Sequence, residues 1–105
     1  MKIDNLNKND HYLLACSFGV DSMCLMDLLI KSGYRFSVAF VNYHLRKESD
    51  DEEKNIKMYA KNHNLDLYIF DNKEKINNNI EARCREIRYN FFLSLFNKYH
   101  FSSLL

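Results

Sequence analysis

Proline is absent from the sequence and glycine occurs only twice in 105 residues. These two residue types punctuate linkers and turns, so their scarcity leaves no stretch that reads as a hinge between domains or as low-complexity chain. No apolar run reaches the ~18 residues that a membrane span requires. The polar start Met1-Lys2-Ile3-Asp4-Asn5 lacks the apolar stretch of a secretion signal, and a soluble, cytoplasmic protein is expected. Cys-x-x-Cys spacing is also missing: Cys16, Cys24 and Cys84 stand alone, and their odd number leaves one unpaired in any disulfide scheme. A reducing compartment with packed thiols is favoured over a metal centre. A charge excess of one sign is lacking too, since 15 Lys and Arg face 14 Asp and Glu for a net +1. A strongly basic domain would have pointed to nucleic acid; near-neutrality decides nothing in either direction.

What is present is one domain's worth of chain, 47% hydrophobic, enough to bury a core. Residues 12–16 read as a strand and 21–31 as a helix, closed by Ser32-Gly33 with Gly33 in the left-handed C-terminal position. That helix is apolar nearly all round, interrupted mainly by Asp27, which predicts cover on more than one side. Phe36-Ser37-Val38-Ala39-Phe40-Val41 is a near-continuous apolar run, the pattern of a parallel strand buried on both faces. Ser49-Asp50-Asp51-Glu52 has the form of a capping box opening a helix to about His63. On that helix Ile56, Tyr59, Ala60 and His63 share a face, and Lys54, Lys57 and Lys61 form a solvated one. Leu67-Tyr68-Ile69-Phe70 predicts a third strand. A long helix follows from Ile80, with Ile80, Cys84, Ile87, Phe91 and Leu95 as its apolar stripe. Phe101-Ser102-Ser103-Leu104-Leu105 looks like the start of a further strand. The order implies an α/β fold: three layers, a mostly parallel sheet with right-handed crossovers and helices on both faces, incomplete within these residues. Ligands in such sheets sit beyond the carboxyl ends of the strands, here at the loops starting at Ser17, at Asn42 and near Asp71.

The first of these loops carries the most chemistry. In Cys16-Ser17-Phe18-Gly19-Val20-Asp21-Ser22 a small polar turn joins strand to helix, so backbone N–H groups and a helix N-terminus converge on one point. Ser17 and Ser22 add hydroxyls, Gly19 permits close backbone approach, and Asp21 suits either a cation on phosphates or the first-turn acid that the helix dipole favours. An anion site and a merely structural tight turn both fit this pattern. It is not a Walker A loop, lacking GxxxxGK(S/T), nor the dinucleotide fingerprint GxGxxG. His44 and Arg46 stand in the loop after the second strand: His44 as a functional or a packing residue, Arg46 as a phosphate or RNA contact or a solvent-exposed cation. On the long helix, Glu81 and Arg85 are spaced for a surface salt bridge. Arg88 lies beside the apolar stripe and is better placed to turn inward towards a ligand. Tyr89 reads as structural, and Phe91, Phe92 and Phe96 as core or interface residues.

Ser17-Phe18-Gly19-Val20-Asp21-Ser22 resembles the SGGxDS pyrophosphate loop of the N-type ATP pyrophosphatases (PP-loop, adenine nucleotide alpha hydrolase-like). Val41-Asn42-Tyr43-His44-Leu45-Arg46-Lys47-Glu48-Ser49 resembles the VNHxLRxxS segment of the tRNA(Ile)-lysidine synthases. Glu81-Ala82-Arg83-Cys84-Arg85-Glu86-Ile87-Arg88-Tyr89 resembles that family's EAxARxxRY helix. The resemblance implies a ligase that uses ATP and Mg²⁺ to adenylate the wobble cytidine of the CAU-anticodon isoleucine tRNA. The amine of free lysine then displaces AMP to give lysidine, with pyrophosphate as the other product. It assigns Ser17, Phe18, Gly19, Val20, Asp21 and Ser22 to ATP, Asp21 also to the metal, Asp21 and Arg88 to catalysis, and His44, Arg46 and Arg85 to tRNA or substrate. Adenine would lie on the second strand near Phe40 and Val41. Phe18 departs from the pattern, standing where the loop has glycine; if that position needs φ > 0 or close phosphate approach, the ring costs ~1–2 kcal/mol or blocks the ligand. The family's further His- and Asp-bearing loop and its tRNA-binding domains fall outside residues 1–105. The chain therefore reads as the N-terminal part of the ATP-binding catalytic domain of a longer enzyme, or as a truncated product retaining a non-catalytic nucleotide site. Another adenylating tRNA enzyme of the same fold, such as a thiolase, is the enzymatic alternative, though the cysteine motifs usual in such enzymes are absent.

Overall fold

The computed structural model describes residues 7–16 and 20–105, with Val20 and Asp21 defined by backbone alone. The elements are β1 (His11–Cys16), α1 (Val20–Ser32), β2 (Arg35–Asn42), α2 (Ser49–Asn62), β3 (Leu67–Asp71), α3 (Ile80–Tyr99) and β4 (Ser103–Leu104). The strands form one sheet in the order β3-β2-β1-β4. Every neighbouring pair is parallel, with Leu14 opposite Val38, Ala15 opposite Ala39 and Cys16 opposite Phe40 in the central pair. The chain thus builds outward from β1 in one direction and returns to its other side with β4.

Period-two alternation along the two central strands divides the core into two clusters. Tyr12, Leu14 and Cys16 of β1 join Phe36, Val38 and Phe40 of β2 on one face, against Met26 and Leu29 of α1 and Ile56 of α2. Leu13 and Ala39 turn to the opposite face and meet Phe92 and Leu95 of α3 and Phe101. This is the expected three-layer arrangement. The unbroken apolar run of β2 is explained by burial on both of its faces, with Val38 fully buried on one and Ala39 on the other.

Gly33 adopts φ 79°, and the N–H of Tyr34 donates to the carbonyl of Leu29 at 3.1 Å, closing α1 in the predicted left-handed cap. The cover expected around α1 is only partial. Met26 and Leu29 are fully buried, Met23, Leu25 and Ile30 are half-buried, and Cys24 is exposed. The capping box of α2 does not form. Glu48 takes the N-cap position without a side-chain bond, and the hydroxyl of Ser49 accepts from the N–H of Arg46 instead. The stripe on α3 is also displaced: Ile87, Phe92 and Leu95 are buried, whereas Ile80 is 47% exposed and Tyr89 is 65% exposed. A helix of this length spans ~30 Å, longer than the strands it crosses, and its first turn carries Ile80 past the packed layer. Tyr89 therefore does not play the packing role expected of it. Among the described residues no helix is long and apolar enough to cross a membrane.

Candidate functional site

At the carboxyl ends of β1 and β2 a cleft of about 330 Å³ opens between the sheet, the β2–α2 loop and α3. Its origin lies in two small side chains. Ala15 and Ala39 are direct partners across β1 and β2, both line the cleft, and neither fills the space that a larger residue would occupy against α3. Phe92 contributes an aromatic wall, Cys16, Phe40 and Val41 the strand ends, and Arg46, Glu52 and Arg88 the charged rim. The result is a mostly apolar recess with two guanidinium groups on its walls, a form suited to a flat apolar group attached to an anion.

The geometry of the rim is set by Asn42, the last residue of β2 and 2% exposed. Its amide donates to Asp50 at 3.1 Å and to Glu53 at 3.2 Å, and its side-chain oxygen accepts from the N–H of His44 at 3.0 Å. Its backbone carbonyl accepts from Asn72 at 2.9 Å. One polar residue at the end of an apolar strand thus ties together the start of α2, the β2–α2 loop and the exit of β3. His44 occupies the left-handed region at φ 58°, where non-glycine residues are uncommon, and this turns the chain back towards α2. Its imidazole contacts Asp71 through Nε2 and lies 3.3 Å from Asp50 through Nδ1. Lys73, first, and His44, second, hold the Asp71 carboxyl below the usual carboxylate range.

Arg88 comes into the cleft from α3. The hydroxyl of Tyr43 donates to the carbonyl of Cys84 at 3.3 Å and is also hydrogen-bonded to the Arg88 guanidinium. Burial pushes the Tyr43 phenol up, and the charge of Arg88 opposes that rise. Among the described residues no carboxylate pairs with Arg88, whereas Arg46 is engaged by Glu52 at 2.5 Å.

A family model for the PP-loop domain matches residues 1–105. The chain belongs to the PP-loop family. Its curated relatives include the tRNA(Ile)-lysidine synthase of Malacoplasma penetrans, 44% identical over 87 residues, which cover 77% of this chain and 29% of that protein. The tRNA(Ile)-lysidine synthase of Helicobacter hepaticus is 38% identical over 98 residues, 93% of this chain and 23% of the relative. That of Mesoplasma florum is 35% identical over 104 residues, 95% of this chain and 26% of the relative. The chain spans about a quarter of the length of these relatives.

Ser17, Phe18 and Gly19, assigned to ATP by resemblance, lie outside the described residues, as do the side chains of Val20 and Asp21. On either side of them, β1 ends at Cys16 in the cleft wall and α1 starts at Val20. Ser22 is half-buried in α1. Of the remaining candidates the fold brings Arg46 and Arg88 together on one cleft. His44 sits instead in a neighbouring groove of the β2–α2 loop, bound to acidic residues. Arg85 points elsewhere, 3.7 Å from Glu81 with its side chain 70% exposed, as the spacing of that pair allowed. Among the described residues no group of three or more His, Cys, Asp or Glu is arranged to hold a metal, so Asp21 remains the sole candidate ligand read from the sequence. From the sequence, Asn42, Tyr43 and the alanine pair had no side-chain role in the site, and Glu52 read only as a helix cap. A lone amide ending an apolar strand was the available signal for the first; the others depend on strand register and helix rotation.

Proposed function

We propose that residues 1–105 form the nucleotide-binding part of a PP-loop ligase of the tRNA(Ile)-lysidine synthase type, with the cleft between Ala15, Ala39 and Phe92 as its adenosine site. The observation that carries this reading is the position of the cleft. It adjoins the strand end that leads into the pyrophosphate-loop sequence, and it faces two arginines from two different segments. The adenine ring rests on the alanine floor against Phe92, with its edge towards the backbone of Phe40 and Val41. The phosphate chain then runs towards Ser17, Gly19 and Ser22 and the N-terminus of α1, where N–H groups and the helix dipole favour an anion.

Arg88, steadied by Tyr43, meets charge that develops as the α-phosphorus is attacked, a task for a donor already in place before reaction. In the reaction so assigned, the wobble cytidine of the isoleucine tRNA displaces pyrophosphate from ATP. The amine of lysine then displaces AMP. Mg²⁺ at Asp21 would neutralise phosphate charge when bound. His44, in the neighbouring groove, and Arg85, on the exposed face of α3 beside Glu81, stand as tRNA contacts away from the cleft. A nucleotide-binding chain without catalysis is the second reading, favoured by Phe18 in place of the loop's glycine. AMP release from ATP, measured with and without isoleucine tRNA and lysine, separates the two. Release that requires both supports the ligase, and ATP binding with no release supports the second reading.

A further inference from the structure

We infer that Glu52 is a positioning residue that sets the Arg46 guanidinium against the cleft to receive a phosphate group; this rests on the nucleotide reading of the cleft given above. Nη2 of Arg46 donates to both carboxylate oxygens of Glu52, at 2.6 and 2.5 Å. Both bonds come from one nitrogen, so among the described residues the Nε and Nη1 donors remain for another acceptor. The two partners differ in burial: the Glu52 side chain is 19% exposed and that of Arg46 is 60% exposed. The carboxylate is therefore the enclosed member of the pair, and the guanidinium keeps a face open to a ligand. The backbone of Arg46 is held as well. The N–H of Arg46 donates to the Ser49 hydroxyl at 3.3 Å, and the N–H of Ser49 donates back to the Arg46 carbonyl at 3.2 Å. Glu52 follows in the first turn of α2, where its own N–H donates to Glu48 at 2.9 Å. Arg46, Ser49 and Glu52 all line the cleft, opposite Arg88. The arrangement also accounts for the absent capping box, since the side chains that would have closed it are turned onto Arg46. A guanidinium held on one edge loses less freedom on meeting a phosphate with its other edge than one waving in solvent.

The sign of the effect makes this testable. Removing a negative charge from the rim of an anion site strengthens anion binding by electrostatics alone; removing a positioning residue weakens it. ATP, adenosine and an anticodon stem-loop RNA are titrated against the wild-type chain, Glu52→Ala, Glu52→Gln, Arg46→Ala and the Glu52→Ala/Arg46→Ala double variant. The expected result is about tenfold weaker binding of the phosphate-bearing probe in Glu52→Ala, the scale of one charge-assisted hydrogen bond, with adenosine binding unchanged. Glu52→Gln, which keeps the side-chain length and one acceptor oxygen, falls between the two. The double variant is no weaker than Arg46→Ala. Loss confined to ATP identifies the nucleotide as the phosphate source, and loss confined to the RNA identifies its backbone. Unchanged or tighter binding of both in Glu52→Ala and Glu52→Gln, with adenosine still bound, overturns the role of Glu52 alone. Failure of the wild-type chain to bind either adenosine or ATP overturns the cleft reading, and the inference with it.

Discussion

Replacing Asn42 by leucine tests whether the rim is held by one buried amide. The substitution keeps the branched outline and heavy-atom count of the side chain, and it removes the two donor bonds, to Asp50 and Glu53, and the acceptor bond from the N–H of His44. The carboxylates do not suffer equally. The Asp50 side chain is 81% exposed and regains water, while Glu53 is 21% exposed and regains less. The N–H of His44, in a loop turned by a left-handed residue, loses the acceptor that holds the turn. The N–H of His44 is only part-buried, so losing its acceptor costs about 1 kcal/mol, and a lost bond to a partly buried carboxylate adds about 1 kcal/mol after solvent screening. The added apolar contact returns part of this, for a net loss of about 1–2 kcal/mol. For a domain of this size that lowers the thermal midpoint by on the order of 5–15 °C. Urea denaturation followed by far-UV circular dichroism gives the free energy, and Asp50→Ala is the control. Because Glu53 still accepts from the amide, Asp50→Ala changes stability by less than about 1 kcal/mol. A loss below about 1 kcal/mol in Asn42→Leu, or equal losses in both variants, would refute the reasoning.

Filling the alanine floor has the opposite character. Ala15→Leu places a branched side chain in the cleft, so nucleotide binding falls by at least about tenfold while the unfolding free energy holds within about 1 kcal/mol; retained affinity would show that the ligand lies elsewhere. His11 provides a pH dependence. Its ring nitrogen is 2.9 Å from the hydroxyl of Ser37, and burial, first, and Arg35, second, lower its pKa. The folded state therefore prefers the neutral ring. The stability this contributes is complete above the unfolded value of ~6.5 and is lost as pH falls below it, through the lowered folded value. The difference in urea midpoint between wild type and His11→Gln should change between pH 7.5 and pH 5 (~ values bracketing that range), and a constant difference would count against it.

The strands were legible because their apolar runs answer to burial on both faces, a local property that a sequence displays directly. β2 was expected over 36–41 and runs from Arg35 to Asn42; the onset of α3 at Ile80 agrees with the sequence reading. Less legible was anything set by competition between side chains. Ser49 and Glu52 have the spacing of a capping box, but the guanidinium of Arg46, six residues before Glu52, offers the carboxylate a charged partner in place of a backbone N–H, and the local motif gives way. The stripe on α3 was displaced for a related reason: which face is buried depends on where the helix crosses the sheet, and the overhanging first turn leaves Ile80 exposed. The place of the cleft, beyond the ends of β1 and β2 beside Phe40 and Val41, was legible; its floor was not. Ala15 and Ala39 are ordinary small residues until the register of β1 and β2 places them side by side. Arg88 was anticipated from its place beside the stripe. Tyr43, which steadies it, was not, because that contact joins two segments far apart in the chain.

A two-dimensional ¹H–¹⁵N NMR titration of the chain with ATP tests the central claim most directly. Binding in the cleft predicts saturable shifts at the amides of Cys16, Phe40, Val41 and Asn42 and at the Arg88 side chain, reduced in Arg88→Ala. Shifts confined to the Asn77-Asn78-Asn79 loop, or none at millimolar ATP (~1 mM being the weak end of specific binding), would contradict it.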